Sequence, residues 1–217
     1  MAKKKETILL ICAHNDDQII GAGGTIAKYA QQGKTVKTVI FSFGEKSHPH
    51  LKPEVITKMR VKESQESDRI IGGKGITYLG LKEGAFPTEI EKKGIMNVMK
   101  KIIEKEKPSK IFTHTINDAH PDHRAVHRFV KHLAKRINFK GSIYTFEVWS
   151  AVRISKRNLP KLVVDVTETF DKKIKAIQAH ASQKMTIISL LWNVYLRAII
   201  SGWSNNCKYA EVFYKLQ

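Results

Sequence analysis

Cysteine is nearly absent from this 217-residue chain, with Cys12 and Cys207 the only two. Two thiols cannot staple a small secreted scaffold, so the fold must rest on an apolar core. Both cysteines read as small hydrophobes in a reducing interior. Carboxylates are scarce as well: 20 Asp and Glu stand against 38 Lys and Arg, a formal net charge of +18. A field of that sign gathers anions. Aromatic residues, 8% of the chain, do not interleave with the basic stretches Lys3–Lys5, Lys100–Lys107, Lys156–Lys161 and Lys172–Lys175. The stacking platform of a single-strand nucleic-acid binder is therefore missing, and an acidic small molecule or a membrane surface answers the charge as well as nucleic acid does.

Long hydrophobic runs are few. The basic start, Met1 to Glu6, leads only into Ile8–Ala13 before His14, Asp16 and Asp17 interrupt it. That is the pattern of a first strand, not of a secretion signal. The longest apolar stretch, Met185–Trp203, carries Asn193 and Arg197 near its middle, both costly in hydrocarbon. It is expected to be a buried or subunit-facing helix, with a membrane contact as the alternative, in a cytoplasmic protein without a transmembrane segment and with a capacity to self-associate. Internal repeats, low-complexity linkers and composition steps are missing too, so residues 1–217 read as one domain.

What is present is an alternation of short β-rich runs with helical patterns. Strands are expected over Thr7–Ala13, Thr35–Phe43, Gly75–Tyr78, Lys110–Thr115, Ser142–Val148 and Lys161–Asp165. Between them lie helical patterns over Gln18–Gln32, Glu54–Gly72, Glu89–Lys105 and Asp122–Ile137. Two further helices, through about Ser182 and near Met185–Ser201, precede a closing strand near Lys208–Lys215. This order predicts an α/β, Rossmann-like single domain: a mostly parallel, twisted sheet flanked by helices. Such sheets bind ligands beyond the carboxyl ends of their strands.

Two loops meet that condition. After the first strand the chain reads Ala13-His14-Asn15-Asp16-Asp17-Gln18. Two adjacent carboxylates at a desolvated sheet edge are expensive without a cation. With a histidine beside them they suit zinc, one carboxylate staying free to take a proton from water. A helix cap is the simpler reading of either aspartate. Gly21, Gly23 and Gly24 follow as Gly-x-Gly-Gly inside the helix, so they favour close helix–sheet packing over a dinucleotide site. After the Lys110–Thr115 strand comes Asn117-Asp118-Ala119-His120-Pro121-Asp122-His123-Arg124, with His127 beyond. His123 offers a further metal ligand, His120 a donor to developing negative charge, and Asp122 a support for a neighbouring imidazole. His127 is either a second metal ligand with His123 or a packing residue.

At these loops the sequence resembles the LmbE-like, PIG-L-type N-acetylglucosaminyl deacetylase family, whose motifs read Ala-His-Pro-Asp-Asp-Glu and His-Pro-Asp-His. His120-Pro121-Asp122-His123 matches fully, whereas Asn15 and Gln18 replace the proline and glutamate of the first motif. Arg60 through Gly72, Asp165 through Gln183 and Ala210-Glu211-Val212-Phe213 extend the likeness over most of the chain. The resemblance implies a divalent metal, zinc, on His14, Asp17 and His123. It implies Asp16 as general base, protonated His120 as partner of the oxyanion with Asp122 behind it, and Arg60 as a substrate-binding residue. The implied reaction removes the acetyl group from an amino-sugar small molecule, and the +18 charge raises the expectation of an anionic one.

Overall fold

A computed structural model of the chain describes residues 5–48, 50–149 and 159–216. Lys3, Lys4 and residues 156–158 of the basic stretches lie outside the described residues. Seven strands form one sheet: β1 (Thr7–Cys12), β2 (Thr35–Ile40), β3 (Ile76–Tyr78), β4 (Lys110–His114), β5 (Ser142–Phe146), β6 (Lys161–Asp165) and β7 (Ala210–Lys215), in the order β3-β2-β1-β4-β5-β7-β6. The first five run parallel, and β7 is antiparallel to both β5 and β6.

Seven α-helices complete the described fold: α1 (Asp17–Gln31), α2 (Pro53–Ile71), α3 (Phe86–Lys92), α4 (Ile95–Glu106), α5 (Pro121–Arg136), α6 (Phe170–Gln178) and α7 (Lys184–Trp203). Side-chain alternation in β1 divides the core. Ile8, Leu10 and Cys12 join residues of α1, α6 and α7 on one face, while Leu9, Ile11 and Ala13 join residues of α4 and α5 on the other. A strand covered on both faces has no polar side to show, which explains the unbroken apolar run that opens the sequence.

The expected elements form with one clear difference. The helical pattern over Glu89–Lys105 is two helices, because Gly94 adopts a left-handed φ of +58° between α3 and α4. Gly72 ends α2 as expected, with φ +79°. The motif glycines do permit close packing: a Cβ on Gly21 would lie 2.3 Å from the Phe146 ring, and one on Gly24 would lie 2.8 Å from Val166.

The topology fixes where a ligand can sit. From β1 the chain moves to β2 on one side, and β4 then pairs with β1 on the other, with Cys12 beside Ile40 and Ile11 beside Thr113. The sheet therefore changes winding direction between β1 and β4, and the loops leaving these two strands open a crevice there. Both histidine–aspartate motifs are in those loops.

Candidate active site

The turn after β1 carries His14, Asp16 and Asp17 directly into α1. Asp17 folds back so that its Oδ2 accepts from the His14 backbone N–H at 2.7 Å. The loop after β4 enters α5 through Pro121, whose missing N–H is harmless at a helix start. At the N-cap, His120 Nδ1 accepts the Asp122 backbone N–H at 3.2 Å. Two chain segments about a hundred residues apart thus deliver their side chains to one point.

At that point His14 Nδ1 lies 3.3 Å from His123 Nε2. Asp17 places Oδ2 3.7 Å from His14 Nδ1 and Oδ1 3.2 Å from His123 Nε2. A tetrahedral zinc with ligand bonds of about 2.0–2.1 Å needs donor atoms roughly 3.4 Å apart, so this trio fits such an ion. The far nitrogens strengthen the fit. His123 Nδ1 is 2.9 Å from Asp118 Oδ1, and His14 Nε2 is 3.4 Å from Asp122 Oδ2. Each imidazole thus has a carboxylate behind it and turns its other nitrogen toward the shared point, the usual support of metal-binding histidines. His120 and His114 enter three further groupings, His14–His120–His123, His14–Glu83–His120–Asp122 and Asp17–His114–His123, whose donor atoms lie within 4.8 Å of one another.

The electrostatics point the same way. Burial pushes the Asp17 carboxyl up, but the His123 and His114 imidazoles overcome it and hold the group well below the usual carboxylate range. Burial opposes a charge on His123, yet Asp17 and Asp118 raise its pKa to about 10. His120 is driven the other way, first by burial and then by the neighbouring His14 and His123. A neutral His120 with Nδ1 occupied as an acceptor carries its proton on Nε2, which can still donate. The protonated form expected from the sequence is the one its surroundings disfavour.

The remaining residues of the sequence reading fall as follows. Asp16 is held by Arg60, whose Nη2 donates to Asp16 Oδ1 at 3.3 Å while Nη1 donates to the Gly44 carbonyl at 3.3 Å. Arg60 is buried, so part of its fork is committed to the protein. Asp122 lies behind His14, where its Oδ2 also accepts the Gly84 N–H at 2.9 Å, and its negative charge acts on His120 as well, favouring a proton there. His127 donates from Nδ1 to the His114 carbonyl at 2.9 Å, which is the packing alternative. Gln18 donates to the Asn15 backbone carbonyl at 3.0 Å and the Asn15 side-chain amide donates to the Phe43 carbonyl at 3.3 Å, so both departures from the family motif bond to nearby backbone.

Three neighbours carry no functional reading in the sequence. Asp118 sets Oδ1 2.9 Å from His123 Nδ1 and accepts with it from the His120 backbone, and through Oδ2 accepts from the Val148 and Trp149 N–H groups at 3.0 and 3.1 Å. His114, at the end of β4, sets Nε2 3.2 Å from Asp17 Oδ2, and burial together with His123 lowers its pKa to about 4. Glu83 approaches His14 Nε2 to 3.7 Å. A cleft of about 180 Å³ opens over the centre, walled by Asp16, Arg60 and His120 on one hand and by Val148, Trp149, Gln183 and Leu190 on the other. Its lining carries three carboxylates, Asp16, Asp17 and Glu83, and one guanidinium, so the net positive charge of the chain is not concentrated there.

Comparison with known proteins agrees with the motifs. The family model described as PIG-L, GlcNAc-PI de-N-acetylase, matches residues 9–134. A probable N-acetyl-alpha-D-glucosaminyl L-malate deacetylase 2 of Bacillus cereus is 29% identical over 187 residues, covering 81% of this chain and 83% of its own. The 4-oxalmesaconate hydratase of Pseudomonas putida is 24% identical over 218 residues, covering 92% and 81%. Among solved structures, the N,N'-diacetylchitobiose deacetylase of Pyrococcus horikoshii in complex with an inhibitor is similar with a TM-score of 0.82 at 25% identity, over 98% of this chain and 84% of that one.

Proposed function

This chain belongs to the PIG-L de-N-acetylase family, and from that premise we propose that it hydrolyses the acetamide of an N-acetylglucosamine-containing small molecule to acetate and free amine. The observation that carries this reading is the 3.3 Å approach of His14 Nδ1 to His123 Nε2 with Asp17 beside both. His14, Asp17 and His123 would hold one divalent ion, zinc by the chemistry of its donors. When bound, zinc polarises a carbonyl and lowers the pKa of water toward roughly 7.

The protein's own residues do the rest. Asp16 takes the proton from the attacking water as general base, and Arg60 holds its carboxylate in place. His120 donates from Nε2 to the oxygen that gains charge as the carbonyl becomes tetrahedral. Asp118 and Asp122 fix the ring orientations of His123 and His14. The proton held by Asp16 then passes to the departing nitrogen, which leaves as an amine. Val148, Trp149 and Leu190 line the same cleft and offer apolar surface to a sugar ring. The two unpaired thiols, Cys12 and Cys207, suit a cytoplasmic setting.

Because one relative is named a hydratase, the decisive assay is acetate release from a panel of N-acetylated amino sugars. Asp16→Asn keeps an acceptor for Arg60 while removing the base, so zinc content should be unchanged and turnover should fall by about 10²–10⁴-fold. Normal turnover by that variant removes Asp16 as the base. A metal-loaded enzyme that releases no acetate from any member of the panel defeats the deacetylase reading.

A further inference from the structure

We propose that the outward face of α7 docks the protein onto an anionic membrane surface. The helix is apolar on both sides. Ile187, Leu190, Val194 and Ala198 are buried in the core, whereas Met185, Ile188, Trp192, Leu196, Ile199 and Trp203 form an exposed stripe at spacings of three and four residues. Trp192 is 80% exposed and Trp203 86%. A helix apolar all round is stable when both sides are covered, and a large exposed apolar patch marks a surface that meets something. Among the described residues, nothing in the chain covers the outer side.

The 20 residues of α7 extend for about 30 Å, enough to span a bilayer by length, yet the helix cannot do so in this fold. Its inner side belongs to the core, and Arg197 is turned inward to donate to the Glu147 carbonyl at 2.9 Å. What remains is a helix lying flat, with its apolar face at the depth of the headgroups and upper acyl chains. Tryptophan suits that depth, because its ring is apolar and its N–H is polar.

Charge selects the occupant. Residues 184–209 contain no Asp or Glu, while Lys184 and Lys208 stand exposed at the two ends of the stripe and Lys172 and Lys175 on neighbouring α6. Pairing with a second copy through this face would set lysines against lysines, because the exposed Asp171 on α6 is outnumbered by Lys172, Lys175, Lys184 and Lys208. Anionic headgroups answer them directly, and the net charge of +18 adds long-range attraction.

The test uses the full chain and sedimentation with vesicles of phosphatidylcholine alone or mixed with phosphatidylglycerol. The expected result is binding to the anionic vesicles that falls about tenfold or more with neutral vesicles or in high salt. The double variant Trp192→Ser, Trp203→Ser should lose about tenfold in vesicle binding, with unchanged circular dichroism and unchanged mass in solution. Absence of binding to any vesicle overturns the proposal, as does binding that survives the double substitution. So does a wild-type oligomer that the same substitution breaks into monomers, because that outcome gives the face to a second copy.

Discussion

Asp118 shows how far one carboxylate can organise a site. Its Oδ1 faces His123 Nδ1 at 2.9 Å, and its two oxygens accept from the backbone N–H groups of His120, Val148 and Trp149, so nitrogen faces it on every side. Asparagine at this position must turn an NH2 toward one side or the other. Asp118→Asn is therefore expected to loosen His123 and weaken zinc binding by about 10–100-fold, measured by competition with a chromophoric chelator, with a thermal melt to check that the fold survives. Unchanged affinity would mean that His123 is not oriented from behind. The aspartate stands in the same loop as the His120 motif, but its work depends on residues thirty positions later, so no local pattern announces it. His114 was hidden differently. It occupies a strand position like its apolar neighbours, and only the pairing of β4 with β1 sets it against Asp17. The residues legible in sequence were those whose loops sit at strand ends; the ones missed act through tertiary neighbours.

A second residue offers a test independent of catalysis. Asp68 in α2 is buried, with the Gly75 N–H donating to its Oδ2 at 3.1 Å. Burial raises its pKa from 3.8 to about 6. The folded state thus binds the proton more tightly than the unfolded chain. The stability this confers is complete below pH 3.8 and is lost as pH rises through about 6. Asp68→Asn keeps an acceptor for Gly75 without the charge, so it should raise the melting temperature at pH 8 and have little effect at pH 3.5. Equal shifts at the two pH values would show that the carboxyl titrates normally.

At the scale of elements, the hydrophobic pattern located every strand of the sheet but not the break between α3 and α4. Apolar positions continue in helical phase across Lys93 and Gly94, and periodicity does not register a single residue with positive φ. Nothing lies within 4 Å of a Cβ placed on Gly94, so Gly94→Ala isolates backbone strain from crowding. A left-handed alanine costs about 1–2 kcal/mol, and denaturant unfolding should lose that amount with an unchanged m-value. No loss would mean that the two helices join into one when alanine permits it, the continuous helix the sequence pattern suggested.

For the molecule as a whole, the closing strand is tied to the opening helix by one buried group. α1 is kinked at Ala22, where φ reaches −147°, and just beyond the kink the Gly24 and Thr25 N–H groups donate to Glu211 on β7 at 3.1 and 2.7 Å. Lys173 on α6 donates to the same carboxylate at 2.6 Å, so three elements distant in sequence share one charge. Burying such a pair contributes little net stability, but removing one partner strands the other charge and costs about 3–5 kcal/mol. Lys173→Met leaves Glu211 with only two backbone donors and no cation beside it, and Glu211→Gln leaves Lys173 without a counter-charge. Each single variant is expected to lose about that much in denaturant unfolding, whereas the double variant, with glutamine still accepting one backbone N–H, should recover a large part of it. Additive losses would mean that the two side chains act separately and that the tie between β7 and α1 rests on the backbone hydrogen bonds alone.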